Sequence, residues 1–130
     1  MKKGKEILDT FINQYQNHNY VVSLECPDLS FINPDTKKPQ YARLRISYVP
    51  DQRCLKDFTL SDYLVSYRNS EERDESLINK IREDIVEKVS PKKLQVAGDF
   101  LRQNGIVLSV NAEYTKPSSV VTPGAQKIIR

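Results

Sequence analysis

The order of the hydrophobic patterns along the chain is the feature that most restricts its fold. Segments in which apolar and polar residues alternate stand at both ends of the chain, and two stretches with helical spacing lie between them. Over 41–49, four alternate residues point one way, as on a strand with one buried face. Two more alternating segments, 94–100 and 106–112, are joined by the turn Gln103-Asn104-Gly105. The order predicts an α+β domain with a four-stranded antiparallel sheet and two helices on one face.

The remaining elements are less sharply marked. A short strand over 20–24 should end at Cys26-Pro27, because proline cannot donate to a β-ladder, and a loop should follow over 28–40. Thr59 is the expected N-cap of the first helix, which should run to about residue 68. The second helix should end at Ser90-Pro91 and present one apolar stripe formed by Leu77, Ile78, Ile81, Ile85 and Val89.

Both ends of the chain are expected to lie outside this domain. Apolar residues recur at helical spacing over 5–16, which indicates a short amphipathic helix or an arm that docks on a partner. The predicted organisation is an N-terminal arm or short helix over 1–18, a domain over 19–117 and a flexible or oligomer-bound tail over 118–130.

Composition excludes several functional classes. The chain has 130 residues, a net charge of +3, two cysteines (Cys26 and Cys54) and one histidine, His18. We therefore expect no metal site, and nucleic-acid binding is not favoured because the charge is small. A membrane span, a signal peptide and the common nucleotide-binding motifs are not found in the sequence, so a cytoplasmic protein with reduced thiols is expected.

Particular residues add a resemblance to this pattern. They are Tyr20-Val21-Val22, Cys26-Pro27, Pro34, Thr36, Pro39, Ile46-Ser47-Tyr48-Val49-Pro50-Asp51, Tyr63-Leu64-Val65-Ser66-Tyr67-Arg68-Asn69, Glu75, Asn79, Pro91, Gly105-Ile106 and Tyr114. With them the chain resembles, without a gap over about 19–117, the QueF family of the tunnelling-fold superfamily. These enzymes reduce 7-cyano-7-deazaguanine to its aminomethyl form.

The resemblance implies a fold, an assembly and a binding site. It implies the ββααββ tunnelling fold and subunits that join sheet edges into a ring, with sites between subunits. The family's Phe-His-Glu run corresponds to Arg73-Asp74-Glu75, which makes Asp74 and Glu75 the expected substrate-binding residues. A carboxylate at Glu75 can accept two hydrogen bonds from a guanine-like edge. Without the resemblance, Glu75 would be read as a solvated residue of a helix's first turn.

Where the family has its catalytic groups, this chain differs. Asn33 stands at the position of the cysteine that attacks the nitrile, and Gln40 at that of the aspartic acid that protonates its nitrogen. Carboxamides are neither nucleophiles nor acids near neutral pH. The family's cofactor-binding run, an acidic residue followed by a Ser-Lys-Ser-like sequence, corresponds to Lys56-Asp57-Phe58-Thr59. The lysine that would face a phosphate is missing at its position in that run, so no cofactor is expected. The resemblance, together with these substitutions, implies a protein that binds a purine-like or 7-deazapurine base and does not carry out the reductase reaction.

Two alternatives remain open. In the first, Cys26 is the nucleophile and Asp35 the acid of an active nitrile-processing enzyme, which is either an NADPH-dependent reductase or a relative that adds ammonia. In the second, the chain is a structural subunit that assembles with an active paralogue in a mixed ring, instead of forming a ring of identical copies.

Overall fold

A computed structural model describes residues 4–102 and 104–117. In this part of the chain the strands are β1 (Thr10–Ile12), β2 (Val22–Ile32), β3 (Pro39–Val49), β4 (Arg53–Leu55), β5 (Lys93–Leu101) and β6 (Val107–Thr115). The helices are α1 (Asp57–Val65) and α2 (Asp74–Val89), and a 3₁₀ turn spans Gly4–Ile7.

The main sheet is antiparallel and has the strand order β2-β3-β5-β6. In β3 the alternation is clear, because Ala42, Leu44, Ile46 and Tyr48 are all buried while the arginines between them are exposed. Helix α2 packs against β5 and β6, and α1 packs against β2. Amphipathic helices and one apolar sheet face thus bury each other, which confirms the predicted α+β class with two helices on one face.

Strand β2 is longer than predicted. It continues through Pro27 to Ile32, and its pairing with β3 shifts between Cys26 and Leu29. A β-bulge at an edge strand leaves a residue outside the ladder, so proline is tolerated there. The predicted end at Cys26-Pro27 is therefore wrong, and the loop shrinks to the residues between β2 and β3.

The helix boundaries are confirmed for α2 and wrong for α1. Helix α2 ends at Val89, and the following Ser90 adopts a left-handed conformation with φ 50°, immediately before Pro91. Helix α1 has Lys56 at the N-cap position, without a side-chain capping hydrogen bond, and ends at Val65. Thr59 lies within its first turn, where its hydroxyl donates to the Lys56 carbonyl at 2.6 Å. Thr59 is therefore not the N-cap, and the prediction that placed it there is wrong.

Of the two alternatives predicted for residues 5–16, the amphipathic helix is not formed, and the partner-docking arm stays a prediction. After the 3₁₀ turn, Leu8 is buried in the core and β1 pairs with β4 in a small two-stranded sheet. The side chain of Asn13 donates to the Asp51 carbonyl at 2.8 Å, which continues this attachment. β-pairing to a neighbour therefore outweighed the helical spacing of the apolar residues. The predicted tail over 118–130 and Gln103 of the predicted turn lie outside the described residues.

Within 4–102 and 104–117, no helix is long and apolar enough to cross a membrane.

Candidate functional site

The short loop between β2 and β3 is built around Asn33. Its backbone N–H donates to the Lys38 carbonyl at 2.9 Å, which closes the loop. Its side-chain Oδ1 accepts from the backbone N–H groups of Asp35 and Thr36, at 2.8 and 3.1 Å. An Asx turn of this kind is a common way for asparagine to fix a tight loop.

This loop is attached to the segment that leads into α2. The Ile32 N–H donates to the Ser70 carbonyl at 2.9 Å, and the Glu72 N–H donates to the Ile32 carbonyl at 3.0 Å. Two hydrogen bonds of 2.9 Å join the Arg73 guanidinium to the Asp35 carboxylate. The fold therefore brings the loop and the start of α2, far apart in sequence, to one end of the sheet.

The two carboxamides of the sequence analysis contact each other at this end. Nδ2 of Asn33 donates to Oε1 of Gln40 at 3.3 Å. The same Gln40 oxygen accepts from Nη1 of Arg102 at 3.2 Å. The other terminal nitrogen of Arg102 forms a hydrogen-bonded ion pair with the Asp74 carboxylate. Asn33, Gln40, Arg102 and Asp74 therefore form one network.

A cavity of about 640 Å³ opens beside this network, and we call it the polar cleft. Its lining residues come from the β2–β3 loop, β3, the end of β5 and the β5–β6 turn, and they are Asn33, Thr36, Lys38, Pro39, Gln40, Tyr41, Leu101, Arg102 and Asn104. Two of them carry positive charge, and none is acidic.

Asp74 lies behind the polar cleft at the first position of α2. Its side chain is only 4% exposed, and this burial raises the pKa of the carboxyl group. The hydrogen bond and charge of Arg102 oppose that rise, since both favour the ionised form. Asp74 therefore supports Arg102 from behind and does not itself line the cleft.

Glu75 follows Asp74 but is exposed. Within the residues that the structure describes, its carboxylate takes part in no hydrogen bond or ion pair, and only its backbone carbonyl accepts, from Asn79 at 2.8 Å. The side chain thus keeps its hydrogen-bonding capacity for a ligand or for another copy of the chain.

Cys26 and Asp35, the alternative nucleophile and acid, lie apart in the described part of the chain, and Asp35 does not line the cavity at Cys26. Cys26 is half-buried in β2 and lines a cavity of about 460 Å³ between β2 and α1, where burial raises the pKa of its thiol. Asp35 lies on the β2–β3 loop, where the hydrogen bonds and charge of Arg73 lower the pKa of its carboxyl group.

The run Lys56-Asp57-Phe58-Thr59 forms the start of α1. The ammonium of Lys56 pairs with the Asp9 carboxylate at 3.0 Å, and the Thr59 side chain is buried. In the described part of the chain, no group of three or more histidine, cysteine, aspartate or glutamate side chains is placed to hold a metal ion.

The two charged residues of the cleft, Arg102 and Lys38, were not predicted from the sequence. The pairing of β3 with β5 places Arg102 at the cleft. Ala42 pairs with Phe100, so continuing the antiparallel register by two residues sets Gln40 opposite Arg102. That register is known only once the sheet is known. Alternation alone gives the buried face of each strand and not the partner of each residue.

Fold and site together define a class of protein. The chain is a small antiparallel sheet covered by two helices on one face, with a polar cleft at the end of the sheet where a loop, a turn and a helix start meet.

The comparisons with known proteins define the family within this class. The family model described as "QueF-like protein" matches residues 39–119, more than half of the chain. The chain therefore belongs to the QueF-like family. Its fold is similar to that of the archaeosine synthase QueF-Like in the apo form, with a TM-score of 0.69 and 21% identity over 75% of this chain and 95% of that one.

Similar curated proteins are 7-cyano-7-deazaguanine reductases, which relates the family to 7-deazaguanine metabolism. The NADPH-dependent 7-cyano-7-deazaguanine reductase of Streptococcus thermophilus is 35% identical, over 88% of this chain and 70% of its own length. The enzyme of the same name from Syntrophus aciditrophicus is 39% identical, over 88% of this chain and 82% of its own length.

Proposed function

We propose that this protein binds a purine-like base of the 7-deazaguanine type, anchored by Glu75, and does not reduce a nitrile. The observation that carries the proposal is the Asn33–Gln40–Arg102 network at the polar cleft. Neither carboxamide can attack a carbon or supply a proton. A family member with these groups beside its cleft keeps the means to bind a ligand and lacks the means to form a bond to it.

The anchoring role of Glu75 rests on its exposure and its chemistry. Its carboxylate is exposed at the start of α2, next to a residue that contacts the cleft network. A carboxylate recognises adjacent N–H and NH₂ donors through two parallel hydrogen bonds, which is the pattern on the edge of guanine-like bases. The family match adds the expectation that the bound molecule is such a base.

We extend the proposal to the assembly. Glu75 does not line the polar cleft of its own copy, so a site that uses both is completed most simply by two copies. A ring of identical chains, or a mixed ring with a catalytically active paralogue, would bring Glu75 of one copy to the cleft of the next. Both exposed edges of the sheet are available for such contacts.

A second candidate is an active nitrile-processing enzyme that uses Cys26, Asp35 and NADPH. The similarity to reductases favours it. Three local observations oppose it. The raised pKa of Cys26 reduces the thiolate fraction, and the lowered pKa of Asp35 leaves the carboxyl group without a proton to donate. The cavity at Cys26 is also lined by three carboxylates, Glu25, Asp28 and Asp57, against one cation, Arg68, and this net negative charge disfavours an anionic dinucleotide.

Binding and covalent chemistry can be separated in one experiment. The protein is mixed with 7-cyano-7-deazaguanine, affinity is measured by calorimetry, and intact mass and thioimide absorbance are recorded. We expect binding without a mass increase, and a loss of about tenfold or more in affinity for Glu75→Gln. Glu83→Gln, an exposed glutamate on the same helix, is the matched control and should bind as the parent does.

The outcomes distinguish the candidates. A stable mass increase equal to the ligand, lost in Cys26→Ala, would establish the second candidate, because the thiol adds across the C≡N bond and the nitrogen takes the proton. Absence of all binding, together with formation of mixed rings with a reductase, would favour a structural subunit and contradict the proposal.

A further inference from the structure

The two carboxamides of the polar cleft, Asn33 and Gln40, present hydrogen-bond donors to it and no free acceptor. A carboxamide has one acceptor oxygen and an NH₂ group with two donors, so its partners decide which end faces a ligand. Oδ1 of Asn33 is held by the N–H groups of Asp35 and Thr36, and Oε1 of Gln40 is held by Asn33 and Arg102. Neither orientation can be reversed, because each oxygen already faces two donors.

The remaining groups of both carboxamides are therefore N–H donors. Nδ2 of Asn33 uses one of its two hydrogens on Gln40. Nε2 of Gln40 has no acceptor among the described residues, and Gln40 lines the cleft. A ligand in the cleft would meet these amide N–H groups and would find both amide oxygens occupied.

The charges of the lining residues also favour a ligand that accepts hydrogen bonds. Lys38 lines it and pairs with no carboxylate in the part of the chain that is described. The charge of Arg102 is shared with Asp74, which lies behind the cleft. Since none of the lining residues is acidic, Lys38 leaves the cleft with a positive potential.

From this arrangement we infer that the polar cleft selects an anionic hydrogen-bond acceptor, and that the base bound by this protein carries a carboxylate at carbon 7 where relatives act on a nitrile. The inference rests on the proposed function, since Glu75, of this copy or of a neighbouring one, holds the opposite edge of the base. A carboxylate only accepts hydrogen bonds and carries negative charge, so it matches Gln40, Asn33 and Lys38 together. A nitrile offers one neutral acceptor, and an aminomethyl group is a cationic donor that this cleft would repel.

The test compares four probes by calorimetry: 7-deazaguanine itself and its 7-carboxy, 7-cyano and 7-aminomethyl derivatives. We expect the carboxylate to bind about tenfold or more tightly than the nitrile, and the aminomethyl derivative to bind more weakly than 7-deazaguanine. High salt should weaken the preference for the carboxylate, since Lys38 is exposed.

Two variants locate the effect in the cleft. Gln40→Glu replaces a donor by a negative charge and should abolish the preference for the carboxylate over 7-deazaguanine. Lys38→Ala, at an exposed site, should lower the affinity for the carboxylate more than the affinity for 7-deazaguanine. Lys93→Ala is the control, because Lys93 is exposed at the opposite end of β5.

The results separate this inference from the proposed function. Equal affinity for 7-deazaguanine and its carboxylate, with binding still dependent on Glu75, would overturn the inference and leave base binding intact. Tighter binding of the nitrile or aminomethyl probe would overturn it as well. If none of the four probes binds, the proposed function fails and this inference fails with it.

Discussion

Arg102 is the residue on which the geometry of the polar cleft depends. It joins Gln40 on β3 to the buried Asp74 at the start of α2. Without it, the Asp74 carboxylate would stay buried with no counter-charge, and Gln40 would lose one of the two donors that orient it. Arg102, which lies outside every recognised motif, therefore affects both the stability of the fold, through Asp74, and the orientation of the Gln40 amide in the cleft.

We predict that Arg102→Ala is destabilising in a pH-dependent way. Breaking a fully buried ion pair costs roughly 3–5 kcal/mol, and because Arg102 is partly exposed we expect about 2–3 kcal/mol near pH 7. Burial raises the pKa of Asp74 and Arg102 lowers it, so the variant should have the higher pKa. The protonated carboxyl group of Asp74 needs no counter-charge. The stability lost in Arg102→Ala should therefore become smaller as the pH falls through these pKa values towards about pH 4.

The measurement is urea unfolding of parent and variant at both pH values. The small loss that remains in acid would reflect the Gln40 hydrogen bond, which does not titrate. Arg45→Ala is the control, because its exposed pair with Asp99 should contribute at most about 1 kcal/mol. An equal loss for Arg102→Ala at both pH values would contradict the role assigned to Asp74.

Gly98 on β5 is required by a close approach of helix α2. A methyl group at this position would lie 2.6 Å from Cδ1 of Ile78 and 3.1 Å from Cε1 of Phe100. We therefore predict that Gly98→Ala destabilises by about 1–3 kcal/mol, as overpacking of a core does. Thermal and urea unfolding give the value.

A double-mutant cycle identifies the atom responsible. Ile78→Val removes the Cδ1 atom that the new methyl group would meet, at a cost of its own of about 0.5–1.5 kcal/mol. The double variant should lose less than the sum of the two single variants. Additive losses would place the strain elsewhere.

Between the two helices, a partly buried group of hydroxyls and a carboxylate forms a connection. The hydroxyl of Tyr63 on α1 donates to the Asp84 carboxylate on α2 at 2.6 Å and lies 2.7 Å from the Tyr67 hydroxyl. Burial and these contacts raise the pKa of Tyr63, so it stays protonated and able to donate.

We predict that Tyr63→Phe lowers the free energy of unfolding by about 1–3 kcal/mol, because it leaves partly buried partners unsatisfied. Tyr15→Phe is the control, since Tyr15 is exposed and should change stability by less than about 0.5 kcal/mol. Hydrogen exchange should also show faster opening of the α1–α2 contact. A neutral Tyr63→Phe would mean that the ring and not its hydroxyl joins the helices.

The sequence predicted elements well where a strong period coincided with burial. Strand β3 and helix α2 show this, because their apolar residues face the same core throughout. It failed for residues 5–16 and at Pro27, where neighbours determine the outcome. A strand partner at β4 replaced the helix, and a bulge at the sheet edge accommodated the proline.

The candidate site was predicted only in part. Asn33, Gln40 and Asp74 come together through Arg102, which no local pattern marks, since a β-ladder is defined by residues distant in sequence. The separation of the cavity at Cys26 from the loop that carries Asp35 likewise depends on three-dimensional packing.

At the scale of the whole molecule, the two outer strands of the sheet predict how copies would assemble. Strands β2 and β6 are the edges, and within the described residues neither pairs with a further strand on its outer side, where only Ile32 is bonded to the 70–72 segment and the Glu113 carbonyl accepts from Arg82. The sheet has four strands of alternating direction, so the two edges run in opposite directions. Placing β6 of one copy beside β2 of the next therefore continues the antiparallel pattern, and repeating one rotation closes a ring.

We accordingly predict that the protein in solution has a mass several times that of one chain, measured by light scattering across a dilution series. In hydrogen exchange, the outward-facing amides of β2 and β6 should be protected in the assembly and become exposed on dilution. The amides of β3 are the internal control, because that strand is paired on both sides in every copy. A monomeric mass with rapidly exchanging outward amides on both edges would contradict ring formation. It would also contradict a base site completed by two copies, unless the affinity for the base fell on dilution.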